Sequence, residues 1–221
     1  DGLNIIWTSD NEEVASVDQT GNVTAVNPGT VTITAKLGKT TTTCTVTVNP
    51  NVYVAGSIRN ANNIAVAALW KNGVMHELSD GITNATANSV FISGSDVYVA
   101  GYVKDANNVA IATLWKNGIA QELSNGIVDA YPQSVFVDGQ DVYVVGSMDY
   151  SPHLAVLWKN GVMTELYEGN NESRARSVSV VEGDVYIGGY IYDDNNLSVA
   201  TLWKNGAKQE LSDLNGSSAI V

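Results

Sequence analysis

The chain has 221 residues, of which 44% are hydrophobic and only 15% are charged, and its formal net charge at pH 7 is −12. An acidic chain opposes binding to nucleic acid or to an anionic lipid surface, because both attract clustered Lys and Arg. We therefore predict no nucleic-acid partner and no membrane insertion, since no apolar run reaches the roughly 18 residues of a membrane span.

The first 49 residues are rich in Thr and Val and lack the repeats described below. Four motifs follow one another there: Trp7-Thr8-Ser9, Val14-Ala15-Ser16-Val17-Asp18, Gly21-Asn22-Val23-Thr24-Ala25 and Gly29-Thr30-Val31-Thr32-Ile33-Thr34. Short strands separated by Gly-containing turns are typical of a β-sandwich. The motifs resemble the bacterial Ig-like domain, group 2. The resemblance implies a partial module, because a complete one has about two more strands before Trp7.

From residue 50 onward the sequence repeats with a period of about 45 residues. The motif LWKNG occurs four times, beginning at Leu69, Leu114, Leu157 and Leu202. The motif V-Y-[VI]-[AVG]-G also occurs four times, beginning at Val52, Val97, Val142 and Val185. The third copy is two residues shorter within 147–153. Such a period predicts an array of equivalent units, at about 50–88, 89–133, 134–176 and 177–216, with a further strand starting at 217–221.

Each unit is predicted to contain four short strands, which in the second copy cover 89–93, 96–103, 109–116 and 119–124. An Asn-Gly pair separates the third strand from the fourth, and it favours a type I′ hairpin with positive φ at both residues. The third strand is apolar on both faces, with bulky residues on one and small residues on the other. A sheet of this kind is expected to be buried between equivalent sheets.

We therefore predict an all-β protein with a partial Ig-like β-sandwich at 1–49 and four four-stranded β-propeller blades at 50–221. A β-solenoid is disfavoured, because its coils are shorter and do not use Asn-Gly hairpins. The units resemble extracellular propeller-type repeats of bacterial surface proteins and, more loosely, the HAF family of extracellular repeats. This resemblance covers about 50–221 and implies an extracellular scaffold without a particular activity.

Both ends of the array leave alternatives open. Residues 44–48 stand where the first strand of the first unit is expected, so they end the Ig-like module, start the first blade or run through both. Residues 218–221 resemble the start of a further inner strand. Either this strand completes the first blade and closes a four-bladed ring, or the chain is an excerpt of a larger ring. We favour the excerpt, because both ends resemble truncations and the N-terminus lacks Met and a leader.

Residues that recur in every unit are interpreted as structural. The repeated Trp residues lie on the bulky face, which predicts packing between blades; they are Trp70, Trp115, Trp158 and Trp203. The Lys after each Trp and the Glu at 77, 122, 165 and 210 are assigned to rim ion pairs. The Asp at 96, 141 and 184 is assigned to capping the turn before the second strand.

Function in a repeat protein is expected where the copies differ. The predicted loops at 80–88, 125–133 and 168–176 differ most, and Tyr131, Arg174 and Arg176 are their unusual side chains. These three are the candidate binding residues, because an aromatic ring and guanidinium groups can hold a glycan or a carboxylate. The alternative is that these three are solvated loop side chains without a binding role.

Asp193 and Asp194 are the candidate metal ligands, since their polar loop offers oxygens of the kind that calcium prefers. Their spacing matches no EF-hand or nonapeptide motif, and we predict no other cofactor. His76 and His153 fit no triad order, and no Gly-rich phosphate loop is present. We therefore predict no catalytic residue.

Together these patterns predict a non-enzymatic bacterial cell-surface or secreted protein that acts in binding or adhesion. In this interpretation an Ig-like spacer presents a propeller, whose loop face binds a glycan or a protein ligand. Two alternatives stay open. One is a carbohydrate-active enzyme, a glycosidase or lyase with paired carboxylates from distant blades, and the other is a purely structural surface stalk.

Overall fold

The structure is a computed structural model that describes residues 4–167 and 169–211. In these residues it contains twenty β-strands in six antiparallel sheets and no helix, which confirms the all-β class. The chain divides into two units, and the boundary between them in the sequence lies between Val52 and Tyr53. Within the described ranges, no helix is long and apolar enough to cross a membrane.

The first unit contains β1 to β5. Their bounds are β1 Ile6–Ser9, β2 Ala15–Val17, β3 Val23–Ala25, β4 Gly29–Leu37 and β5 Thr40–Val48. One sheet has the order β1-β4-β5, and β2 pairs with β3 in another. The core consists of Ala15, Val31 and Ile33, with Trp7 and Val46 among the residues packed against it.

Residues 44–48 belong to this first unit. They form the end of β5, which pairs with β4 from Thr40 to Val48, and Val46 and Val48 pack against the core. Of the three alternatives open in the sequence, the structure therefore supports the end of the Ig-like module.

The second unit contains four sheets, which we call blades 1 to 4. Blade 1 consists of β6 Tyr53–Arg59, β7 Ala65–Lys71 and β8 Val74–Glu77. Blade 2 consists of β9 Ala85–Ser93, β10 Asp96–Lys104, β11 Ala110–Lys116 and β12 Ile119–Glu122. Blade 3 consists of β13 Ala130–Asp138, β14 Asp141–Met148, β15 Leu154–Lys159 and β16 Val162–Glu165. Blade 4 consists of β17 Ser173–Val181, β18 Asp184–Tyr192, β19 Ser198–Lys204 and β20 Ala207–Glu210.

The prediction of four strands is confirmed for blades 2, 3 and 4, whereas blade 1 has three strands among the described residues. The reason is that β5, the segment at the position of its first strand, pairs with β4 instead. The further strand predicted at 217–221 lies outside the described residues.

Every LWKNG hairpin has the predicted turn. Asn72 and Gly73 have φ values of 52° and 80°, and the other three Asn-Gly pairs have closely similar values. Positive φ at both central residues matches the right-handed twist of the two flanking strands. The type I′ prediction is confirmed.

The blades are packed face to face, and the repeated Trp residues lie between them. Trp115, Trp158 and Trp203 are fully buried. Trp158 of blade 3, for example, clusters with Ala112 and Leu114 of blade 2. The predicted bulky-against-small packing is confirmed, and Trp70 in blade 1 is the exception because it is only partly buried.

The first strands of blades 2, 3 and 4 each carry one bulge, which leaves Asn88, Gln133 and Arg176 unpaired in the ladder. In blades 2 and 3 the Ser after the bulge connects the blade to the next one. The Val135 N–H donates to Ser89 Oγ over 3.1 Å, and the Val178 N–H donates to Ser134 Oγ over 3.4 Å. The repeated Ser-Val pair therefore ties successive inner strands together.

Candidate functional site

The three predicted binding residues lie in strands rather than in loops. Tyr131 is the second residue of β13, and Arg174 is the second residue of β17. Arg176 is the bulge residue of β17. The loops are shorter than predicted, because the bulge lets each inner strand begin four residues before its Ser-Val pair. All three side chains thus stand on the inner strands of two adjacent blades.

Tyr131 is held by an aromatic and an acidic neighbour. Its ring makes an edge-to-face contact with Tyr102, with 5.2 Å between the ring centroids. Burial, together with the charge and hydrogen bond of Asp129, raises the pKa of Tyr131 to about 12. The phenol therefore stays protonated at physiological pH and can act as a hydrogen-bond donor.

The two arginines differ in their partners. Arg174 Nε lies 2.8 Å from Glu172 Oε1, so its charge is compensated locally. The Arg176 guanidinium lies 5.5 Å from the centroid of the Tyr190 ring and donates to the Tyr190 hydroxyl over 3.2 Å. No carboxylate among the described residues pairs with Arg176, which leaves its remaining N–H donors available to a ligand.

The short loop between β14 and β15 lies beside the segments that carry Tyr131 and Arg174. Asp149 and His153 are paired within it. The Asp149 N–H donates to the Asp129 carbonyl over 2.7 Å, and the Ser173 N–H donates to the His153 carbonyl over 2.9 Å. The loop is thus fastened to the segments that enter β13 and β17, and the charge of Asp149 acts on both Tyr131 and Arg174.

We call this group the inner-strand cluster. Its members are Tyr131, Asp149, His153, Arg174, Arg176 and Tyr190. The sequence argument found Tyr131 and the two arginines but missed Asp149, His153 and Tyr190. The two-residue deletion in the third copy was the available signal, because it replaces the polar loop of the other copies with the segment that carries Asp149 and His153.

The predicted metal ligands have structural roles in their loop. Asp193 Oδ1 accepts the N–H groups of Asn195 and Leu197 over 2.9 and 2.8 Å, and these bonds, that to Leu197 first, lower the pKa of Asp193. Asp194 Oδ1 accepts from Asn171 Nδ2 over 3.2 Å. Among the described residues, no group of three or more His, Cys, Asp or Glu could hold a metal ion. A calcium site here stays a prediction.

The repeated Lys and Asp pair with each other, which corrects two expectations. Lys116, Lys159 and Lys204 lie 2.8, 2.7 and 2.6 Å from Asp96, Asp141 and Asp184 respectively. The Lys partner is therefore this Asp rather than the repeated Glu. Each Asp also accepts from the Asn of the LWKNG turn, so it joins two hairpins instead of capping its own turn.

Comparison with known proteins gives a family for the N-terminal unit. A family model described as the bacterial Ig-like domain, group 2, matches residues 3–48. The N-terminal unit carries an Ig-like domain. The predicted resemblance is confirmed for this part of the chain, and domains of this group are typical of extracellular proteins.

No curated protein matches the chain. Among the solved structures similar to it is the β-propeller domain of the Trilobed protease from Pyrococcus furiosus, described as having an open velcro topology. The two share 10% sequence identity with a TM-score of 0.48, over 97% of this chain and 82% of that chain.

Proposed function

We propose that this chain is a non-enzymatic recognition module of a bacterial cell-surface or secreted protein, and that its inner-strand cluster binds a glycan that carries a carboxylate. The observation that supports this is that Tyr131, Arg174 and Arg176 stand on the inner strands of adjacent blades, where the repeats differ most. The Ig-like domain supports an extracellular location.

The chemistry of the cluster suits an acidic sugar. Arg176 has N–H donors that no described carboxylate occupies, and a planar guanidinium forms strong paired hydrogen bonds with a carboxylate. Tyr131 and Tyr190 offer aromatic surface and hydroxyl groups, which sugar rings contact readily. A protein ligand with an exposed carboxylate is the second candidate, because it would use the same guanidinium.

A glycan array tests the proposal with a matched pair of variants. We expect Arg176→Gln to weaken binding to acidic glycans at least tenfold. Arg59→Gln is the control, because the Arg59 guanidinium lies in blade 1 and donates to the Asn63 carbonyl. Binding should remain unchanged in the control.

Two further results decide between the alternatives. Release of reducing sugar from a bound glycan would support the enzyme, and an array without any binding would support the stalk. Equal losses in the Arg176 and Arg59 variants would contradict the assignment of the cluster.

A further inference from the structure

A cavity of about 270 Å³ lies between blades 1 and 2, and it shares no residue with the inner-strand cluster on blades 3 and 4. Its floor is apolar, because it is formed by Leu69 of β7 together with Val97 and Val99 of β10. Leu69 and Val99 are 9% and 1% exposed, and both belong to the core between the two blades. Packed strands of both blades therefore form the floor of the cavity.

Blade 1 supplies polar groups to the same cavity. Leu69 and Lys71 are two residues apart on β7 and therefore share one face of the strand. The pairing register places Tyr53 of β6 opposite Lys71, and His76 of β8 opposite Leu69. An amino group and an imidazole, which can both donate hydrogen bonds to an anion, thus line the cavity beside a phenol ring. Glu77 also borders the cavity, but as the next residue of β8 it belongs to the other face of the strand.

Lys71 lacks the carboxylate partner of its three equivalents. In blades 2, 3 and 4 the equivalent Lys forms an ion pair with an Asp of the same blade. The corresponding position in the first copy of the sequence is Asn51, and no carboxylate among the described residues forms an ion pair with Lys71. The Lys71 amino group lies over the Tyr53 ring, 5.5 Å from its centroid. Its positive charge is therefore placed at the cavity without a negative partner in the described chain.

His76 leaves open a space that a longer side chain fills between blades 2 and 3. The equivalent residue of blade 2 is Gln121, and a Cβ on Gly161 in the next LWKNG turn would meet its Nε2 at 3.1 Å. A Cβ on Gly118, the turn residue that borders the cavity, would meet no atom within 4 Å. The cavity therefore extends to this turn.

The contact between blades 3 and 4 has the open turn but not the unpaired charge. Thr164 stands at the position of His76 there, and a Cβ on Gly206 would meet no atom within 4 Å. Lys159, however, lies 2.7 Å from Asp141. Among the described blades, the open turn and a Lys without a carboxylate partner thus occur together only between blades 1 and 2.

We propose that this cavity binds a small organic acid with a compact apolar body. The carboxylate pairs with the Lys71 amino group and accepts a hydrogen bond from His76, while the apolar body contacts the floor and the Tyr53 ring. The cavity is smaller than the roughly 300 Å³ at which pockets for drug-sized ligands begin, so a single ring on a short chain suits it. A bare inorganic anion fits less well, because burial against an apolar floor costs it hydration without a compensating contact.

Titration of the isotope-labelled full chain with hydrocinnamate, followed by the amide chemical shifts, tests the proposal. We expect saturable shifts at Val97, Val99 and Gly118. The neutral analogue hydrocinnamyl alcohol should bind at least tenfold more weakly, because it has no charge to pair with Lys71.

Two substitutions locate the contact on blade 1. Lys71→Gln should weaken the binding of hydrocinnamate at least tenfold, whereas Lys159→Gln is the matched control, because Asp141 already occupies that amino group. His76→Gln should also weaken binding, since its amide then reaches toward the turn as that of Gln121 does. Binding of acidic glycans should remain unchanged in both blade 1 variants, so this proposal and the proposed function can fail separately.

The absence of saturable shifts at the three amides would overturn the proposal. So would equal binding of the acid and the alcohol, or equal losses in the Lys71 and Lys159 variants. Circular dichroism spectra show whether each variant is folded, and the comparison of the acid with the alcohol on the wild-type chain depends on no variant.

Discussion

A glycine ends the V-Y-[VI]-[AVG]-G motif in every unit, and in three of the four its hydrogen faces a backbone carbonyl of the inner strand. These glycines are not required for a positive φ. They are required because the bulge brings two backbones closer than a side chain permits.

At the residue scale we therefore predict opposite outcomes for the same substitution in two blades. Gly101→Ala should lower the free energy of unfolding by about 2–3 kcal/mol, because the clash with Thr86 and Ala87 is with backbone. Gly56→Ala should change it by less than about 1 kcal/mol, since among the described residues a Cβ there meets only the Trp70 ring. Urea unfolding of both variants measures the difference, and equal losses would contradict the explanation.

Residue roles that depend on local periodicity could be predicted, and roles that depend on distant pairing could not. The position of Trp158 on a bulky strand face was enough to predict its burial between blades. The partner of Lys116 was not predictable in this way, because Asp96 comes from another hairpin of the blade and Glu122, with the same charge, is closer in the sequence. The cluster residue Asp149 was missed for the same reason, since its neighbours stand on the adjacent inner strands.

At the element scale, the ion pair between the repeated Lys and Asp joins the two hairpins within each of blades 2, 3 and 4. The Lys amino group lies over the ring of the Tyr two residues after the Asp, at 5.1, 5.0 and 5.1 Å from the centroid. Hydrogen bonds from the Lys, and then from the Asn of the turn, lower the pKa of each Asp. These groups are exposed, so each ion pair contributes modestly to the stability of the fold, and the contributions of the three pairs add.

This arrangement predicts acid sensitivity. A carboxyl group whose pKa is lowered in the folded state stabilises the fold at pH values above its ordinary pKa of 3.8. This contribution is lost as the pH falls through the lower pKa of the folded state. We expect the melting temperature to decrease when the pH is lowered below about 4. The triple variant Asp96→Asn, Asp141→Asn and Asp184→Asn should show a smaller fall.

Melting curves between pH 2 and pH 7 provide the measurement. Asp138→Asn is a suitable control, because Asp138 forms no ion pair with any residue that the structure describes. An acid response of the triple variant as large as that of the wild type would show that other carboxylates are responsible.

The hairpins and the four-strand pattern followed from the sequence, whereas the exact ends of the inner strands did not. Alternation with a period of two residues breaks at each bulge, so the segment from Ala130 to Gln133 resembled a loop. The sequence also did not predict that 44–48 would be absent from blade 1, because these residues fit both a sandwich strand and a blade strand. Pairing with β4 along the whole of β5 decided between them.

At the scale of the whole molecule, the two units have buried cores of different size. The two units differ in how much they bury. The buried core of the first consists of three residues, whereas the second has three larger clusters, each built around one fully buried Trp.

This difference predicts unequal resistance to unfolding. Buried apolar area is the main source of stability, and regions with few buried contacts open at lower free energy. In native-state hydrogen exchange, peptides from β4 and β5 should therefore exchange at least tenfold faster than peptides from β11 and β15. The exposed Thr residues of β5 strengthen this expectation, because its outer face buries almost nothing. Equal protection of the two groups, followed by loss of both in a single urea transition, would show that the first unit unfolds only together with the second.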